Sequence, residues 1–383
     1  MKKVVVAIDS FKGCMSSLEA GEVAAEGVRK AVPTCEVVCL PVADGGEGML
    51  EVLVAATGGE YVTAEVCDPL MRPIRSRYGI SGDGRTALIE MAAASGLPLL
   101  SPEERNPMIA TSYGTGQLIR DALERGCRDI LVGIGGSATN DAGCGMLQAL
   151  GFRFLDRSGN VLEAGGEMLG KVAAIDRSQV LPALAEARFT VACDVNNPFS
   201  GENGAAYVFA RQKGADDEMI RRLDAGMRAF EQVVMRTTGC DIGSIPGAGA
   251  AGGMGGGFVA FLGARLLPGV EVMLQALDFR RRIEGADLII TGEGRVDRQT
   301  AMGKVPSGIL KEARAQHIPV IAVAGSIADG EEVDRNGFDG VFAIAPGPVS
   351  LEQAMNPAFA KANLRRLTTQ LCRLIQSLNP TDL

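Results

Sequence analysis

The segment from Thr291 to Lys304 (Thr-Gly-Glu-Gly-Arg-Val-Asp-Arg-Gln-Thr-Ala-Met-Gly-Lys) gathers the groups that handle a metal-bound polyanion. It holds three glycines, the carboxylates Glu293 and Asp297, and the cations Arg295, Arg298 and Lys304. Glycines let backbone N–H groups approach an anion, and a following helix start adds a favourable dipole. Carboxylates beside such a cradle suggest a divalent cation as well, and a polyphosphate carrying its metal needs all of these groups.

Five other clusters end apolar runs in the same way. Asp9-Ser10-Phe11-Lys12-Gly13 can hold a phosphorylated or metal-bound ligand, although Asp and Ser also cap helices. In Pro41 to Gly48, Asp44 and Glu47 have capping-box spacing, but the three glycines beside them exceed what a cap requires. Gly135, Gly136 and Ser137 form a backbone and hydroxyl nest suited to phosphate or a small carboxylate. Asp194 emerges directly from the apolar run Phe189–Cys193, with Asn196 and Asn197 following; the alternative is an Asx turn before Pro198.

The last cluster, Pro246 to Gly257, contains GxGxxG at Gly247, Gly249 and Gly252. Its lead-in is no apolar strand, so a dinucleotide site is rejected, leaving a phosphate cradle or close helix packing. A Walker A loop is missing too, because Val305 follows Lys304 and Arg298 stands where the first glycine would be. His317 is the single histidine and reads as a structural residue at a helix end. Chemistry built on two histidines is therefore excluded, and a Ser-His-Asp triad would have to use His317 itself. Six Gly- and carboxylate-rich loops with so little histidine favour phosphoryl transfer, which asks for positioning, metal and positive charge.

These loops require strands to end at them. Lys3–Ile8 and Cys35–Leu40 read as buried strands, and Ser16–Ala31 and Gly46–Ala56 as the helices between and after them. The βα pattern returns with strands 286–290, 319–324 and 340–345 and helices 305–315 and 350–376. Between lie short strands at 61–66, 74–78, 87–90, 130–132 and 188–193, with helices at 108–124, 215–237 and 250–264. The reading is an α/β protein of two domains: a parallel-sheet domain from both chain ends (1–70 plus 285–383) and a second α/β domain inserted into it (71–284).

Composition bounds the function further. The net charge of −8 and the absence of a basic stripe argue against nucleic acid as a partner. With no tryptophan, the core must be aliphatic and methionine-rich, and 50 glycines without a period imply many loops rather than a repeat. Nine dispersed cysteines without a CxxC pair read as reduced thiols. The opening apolar run is too short for a signal peptide and no run approaches a membrane span, so the expectation is a cytoplasmic protein with no membrane partner.

Taken in order, Asp-Ser-Phe-Lys-Gly at 9–13, Ala-Asp-Gly-Gly-Glu-Gly at 43–48 and Gly-Ile-Gly-Gly-Ser-Ala-Thr-Asn-Asp at 133–141 resemble the type 1 bacterial glycerate kinases. Cys-Asp-Val-Asn-Asn-Pro at 193–198, Pro-Gly-Ala-Gly-Ala-Ala-Gly-Gly at 246–253, Thr-Gly-Glu-Gly-Arg-Val-Asp at 291–297 and Gly303-Lys304 extend the resemblance over the whole length. It implies phosphorylation of D-glycerate to 2-phosphoglycerate with ATP and Mg²⁺, and a flavodoxin-like domain with the active site in a cleft between the domains. On that basis Asp194 is the first candidate for the base and Asp297 the second, with Glu293 and Asp297 on Mg²⁺. Lys12 and Lys304 would balance transferring charge, and Arg295 or Arg298 would fork onto the glycerate carboxylate. Asp9, Ser10, Asp44, Gly135, Gly136, Ser137, Asn196, Gly249 and Gly252 are candidates for holding substrate or phosphate. The alternatives are a kinase for another small hydroxy acid, or a metabolite- or nucleotide-binding regulator without turnover; the oligomeric state is left open.

Overall fold

The computed structural model describes residues 1–43, 48–297, 300, 304–328 and 337–378. The expected sites at Asp44 and Arg298 lie outside the described residues. In chain order the strands are β1 (Lys3–Ile8), β2 (Glu36–Cys39), β3 (Glu60–Cys67), β4 (Pro73–Ile80) and β5 (Thr86–Glu90). They continue with β6 (Asp129–Gly133), β7 (Arg153–Leu155), β8 (Ala174–Asp176) and β9 (Arg188–Ala192). The last are β10 (Arg265–Leu267), β11 (Leu288–Val296), β12 (Val320–Ile327) and β13 (Gly340–Ala343).

Two compact units divide the chain: Met1–Asp44 with Val270–Leu383, and Gly45–Gly269. An inserted unit was expected, but between residues 71 and 284, and both junctions fall earlier. Residues before 70 go to the second unit because β3 pairs antiparallel with β4 along its full length, from Glu60↔Ile80 to Cys67↔Pro73. Helix Met49–Thr57 packs there too, since a Cβ on Gly79 would meet Val54 at 2.4 Å. Residues after 270 join the first unit, where Val270 lies 2.5 Å from the Cβ position of Gly308.

In the first unit the strand order is β2-β1-β11-β12-β13, and every pairing is parallel. Counted within the unit this is 2-1-3-4-5, the flavodoxin-like order, whose switch point lies between β1 and β11. Val4 to Ile8 are all fully buried, and Val4, Val5, Val6 and Ile8 each contribute roughly 1.5–3 kcal/mol of apolar burial. Helix Ser17–Ala31 starts on a capping box, with Ser16 Oγ accepting from Glu19 N and Ser16 N donating to Glu19. Ser17 Oγ donates to Ile8 O (2.6 Å) and accepts from Val42 N (2.9 Å), tying together the ends of β1 and β2. Helix Pro357–Leu378 closes on this first helix at Gly27, where a Cβ would sit 1.9 Å from Thr368 Oγ1. The single helix expected over 350–376 is two, Leu351–Ala354 and Pro357–Leu378, because Pro357 starts a new helix behind Asn356.

The second unit carries a mixed sheet in the order β10-β9-β6-β5-β4-β3, parallel from β10 to β5 and antiparallel beyond. Strands β7 and β8 form a separate two-stranded ribbon. The core is aliphatic with a phenylalanine cluster, Phe152, Phe154 and Phe261, whose rings meet edge to face. All nine cysteines are free. Among the described residues, no helix is long and apolar enough to cross a membrane.

Candidate active site

The first unit presents a cavity of about 350 Å³ at the carboxyl edge of its sheet. It lies where the switch point predicts a ligand, since Asp9, Ser10 and Lys12 follow β1 and Glu293 to Arg295 come from β11. The glycine-rich motif was expected as a loop after residue 290, but β11 runs on to Val296 and pairs as far as Val296↔Ile327. Glycine permits this close approach: a Cβ on Gly292 would stand 2.1 Å from Val323 O, and one on Gly325 would stand 2.6 Å from Gly294 O. Thr291 to Val296 are thereby mounted on a strand rather than a free loop.

Glu293 is the centre of this edge. It is buried, Oε1 accepts from Thr300 Oγ1 at 2.6 Å, and Oε2 accepts from Lys304 Nζ at 3.2 Å. Burial raises its carboxyl above the usual range, while Thr300 and Lys304 act in the opposite direction. Thr300 Oγ1 also accepts from Asp297 N at 3.0 Å, so one hydroxyl links the two carboxylate-bearing residues. Asp297 lies 3.5 Å from the Arg295 guanidinium. Lys304 is the residue before helix Val305–Arg314. Asp9 is buried at the end of β1, with Oδ1 accepting from Ser10 N at 2.6 Å. Lys12 is exposed and, with Arg295 and Lys304, gives the cavity a positive rim.

The second unit has its own cavity, also about 350 Å³, among the carboxyl ends of β6 and β9. Gly135, Gly136, Ser137 and Asp194 line it, and a Cβ on Gly135 would meet only open space. Asp194 Oδ1 accepts from Gly269 N at 2.8 Å. Asn196 is exposed and is not among the described lining residues. Ala251, also on the wall, has a left-handed backbone at φ 53°, a strained setting of the kind found at ligand sites.

Two expected phosphate glycines sit against backbone. A Cβ on Gly249 would meet Pro198 O at 2.1 Å, and one on Gly252 (φ +68°) would meet Thr139 O at 2.1 Å. Both are buried against neighbouring backbone, which supports the close-packing reading of this run.

Lys213 was missed. It is fully enclosed on the wall of this cavity, with Nζ donating to Ser137 Oγ at 2.8 Å and to Thr139 O at 2.7 Å. Burial pulls its ammonium down from 10.5 to about 7, against a smaller upward pull from Asp141. Nothing in Ala210-Arg-Gln-Lys-Gly214 distinguishes it from an ordinary basic helix end. Asp141 is a buried staple, taking Ser112 N and Ser112 Oγ at 2.8 Å each. Thr300, equally unpredicted, lay inside the leading motif. His317 is exposed at the end of its helix with φ 57°, in keeping with a structural role.

Chemically, the first site offers a positive rim around buried carboxylates, and the second a small oxygen-binding pocket with one carboxylate and one poised amine. Among the described residues no group of three or more metal-binding side chains occurs. A hard cation at Glu293 and Asp297 would therefore take its remaining ligands from phosphate and water, as Mg²⁺ commonly does.

The profile of the glycerate kinase family matches residues 4–376. A glycerate kinase of Halalkalibacterium halodurans is 47% identical over 356 residues, covering 93% of this chain and 94% of the relative. A glycerate 2-kinase of Escherichia coli is 46% identical over 358 residues, with the same two coverages. A crystal structure assigned as glycerate kinase 2 from Salmonella typhimurium LT2 superposes with a TM-score of 0.90 at 43% identity, covering 99% of each chain.

Proposed function

The chain belongs to the glycerate kinase family, and on that premise we propose that it transfers the terminal phosphoryl group of ATP to the 2-hydroxyl of D-glycerate. The observation that carries the reading is the switch-point cavity, where Lys12, Arg295 and Lys304 surround the buried Glu293. That combination suits a polyphosphate with its cation.

In this reading the phosphates lie along the first unit's edge. Lys12 and Lys304 offset the charge of the transferring group, and Arg295 serves phosphate rather than the glycerate carboxylate. Glu293 and Asp297 would hold Mg²⁺, which when bound would neutralise phosphate charge. Thr300 ties the Glu293 carboxylate to the Asp297 backbone. Lys304, which pairs with Glu293 in this structure, supplies charge to phosphate when the cation takes its place.

The second unit's cavity takes glycerate. Gly135, Ser137 and Lys213 receive its carboxylate, and Asp194 accepts the proton of the attacking hydroxyl. A general base at the end of a strand is fixed in place, and the bond from Gly269 N holds the Asp194 carboxylate there. The nine free thiols support a reducing, cytoplasmic setting.

The test combines enzyme, MgATP and D-glycerate with enolase, pyruvate kinase, lactate dehydrogenase and NADH, without phosphoglycerate mutase. NADH oxidation dependent on D-glycerate identifies 2-phosphoglycerate as product. ADP release in a separate assay without such oxidation would move the phosphoryl group to the 3-hydroxyl. No ADP release with D-glycerate would overturn the reading.

A further inference from the structure

The cavity of the first unit is larger in chemistry than phosphate requires. Beyond its charged rim it continues into an apolar slot walled by Phe11, Ile344, Leu351, Met355, Phe359 and Ala360. Phe11 and Ala360 are buried, whereas Leu351 is 78% and Met355 38% exposed. Large apolar side chains left in water at the lip of a concave apolar wall mark a ligand contact more readily than a core. D-glycerate does not answer to that wall, since each of its carbons bears oxygen. A ligand with an anionic head and a flat apolar tail uses both ends.

Asn363 adds an amide to this wall. Asn363 is buried in helix Pro357–Leu378 and lines the cavity. Its Nδ2 donates to Phe359 O at 3.0 Å, which leaves Oδ1 as the amide's acceptor. An amide acceptor beside an apolar wall selects a ligand that brings a donor to it. Adenine brings its exocyclic amine, whereas guanine carries a carbonyl oxygen at the corresponding ring position.

We propose that this slot binds the base and ribose of the nucleotide, and that Asn363 Oδ1 selects adenine. The assignment rests on the kinase reading above and adds where the base sits and which residue reads it. The phosphates then run from the slot along Ser10 and Lys12 toward Glu293 and Lys304.

The experiment measures binding of MgADP, MgGDP and inorganic tripolyphosphate by calorimetry to wild type, Asn363→Leu and the surface double variant Leu351→Ala/Met355→Ala. Tripolyphosphate has no base and reports the charged rim alone. Asn363→Leu should weaken MgADP about tenfold and narrow its preference over MgGDP. The double variant should weaken MgADP and MgGDP alike by about tenfold. Tripolyphosphate affinity and the KM for D-glycerate should stay at wild-type values in both. The double variant changes exposed side chains, so the test stands even where Asn363→Leu fails to fold. The placement is overturned if MgADP binding survives the double variant, or if MgADP and tripolyphosphate weaken together. A wild-type protein that turns over D-glycerate while the variants behave as wild type loses only the slot. A wild-type protein that binds no nucleotide loses the kinase reading beneath it.

Discussion

Lys213→Met tests an unusual group of the protein, because it removes a buried amine while keeping an apolar stem. Burial sets Lys213 at about 7 in the folded protein, against 10.5 for an ordinary lysine. Between those values the unfolded chain holds a proton that the folded chain does not. Stability therefore rises with pH through this window, is fully gained above the upper value, and is lost as pH falls toward the lower one. One proton corresponds to about 1.4 kcal/mol per pH unit, so between about pH 8 and about pH 10 the contribution reaches roughly 3 kcal/mol. Methionine does not titrate and contributes none of it. Thiols and phenols titrate in the same range in both proteins, so the difference between the two curves isolates Lys213. The variant also strips Ser137 Oγ and Thr139 O of a donor, a pH-independent offset of about 1–3 kcal/mol. The slope, not the height, carries the test. Urea unfolding at matched pH values gives both curves, and parallel curves would refute the buried neutral amine. Anion binding should return the proton: at about pH 8, calorimetry in two buffers of different ionisation heat should show proton uptake with D-glycerate in wild type and none in the variant.

Three further outcomes follow from the geometry. Asp194→Asn keeps an acceptor for Gly269 N, so it should fold as wild type and lose roughly 10²–10⁴-fold in turnover; near-normal turnover in a steady-state assay would remove Asp194 as the base. Thr300→Val takes away the hydroxyl shared by Glu293 and Asp297, which should cost about 10–100-fold in activity or metal affinity. The same variant leaves Glu293 buried with less support, so the acid limb of its pH–rate profile should move upward, since activity needs the ionised carboxylate; an unmoved limb would contradict this. Gly252→Ala forces a Cβ to within 2.1 Å of Thr139 O at positive φ and should destabilise by about 2 kcal/mol or more, seen as a lower urea midpoint.

The strands were legible because uninterrupted apolar runs such as Val4–Ile8 and Leu288–Ile290 are what a doubly covered parallel sheet demands. The stretch Thr291–Val296 was legible as chemistry, but not as strand, since Gly292 and Glu293 have low strand preference and are held by pairing with β12. The unit junctions were misplaced for a related reason. Pairing of β3 with β4 decides that boundary, and nothing local in 45–70 states which sheet the strand will join. Lys213 was illegible because its burial is a product of tertiary packing: the residue types around it are those of any solvated helix end. Gly249 and Gly252 lie in a run that reads as a ligand cradle or as close packing, and backbone stands where their side chains would be.

The placement of β1 has a consequence for how the protein is made. This strand sits between β2 and β11, so its inner neighbour is translated about 280 residues later. At ribosomal speeds that delay is on the order of tens of seconds, during which a fully apolar strand has one edge unpaired. The continuous stretch Gly45–Gly269 has no such wait and can complete its own core during synthesis. Nascent Val4–Ile8 is thus the segment most in need of a chaperone, and slowing elongation after residue 269 should raise aggregation more than slowing it before residue 45.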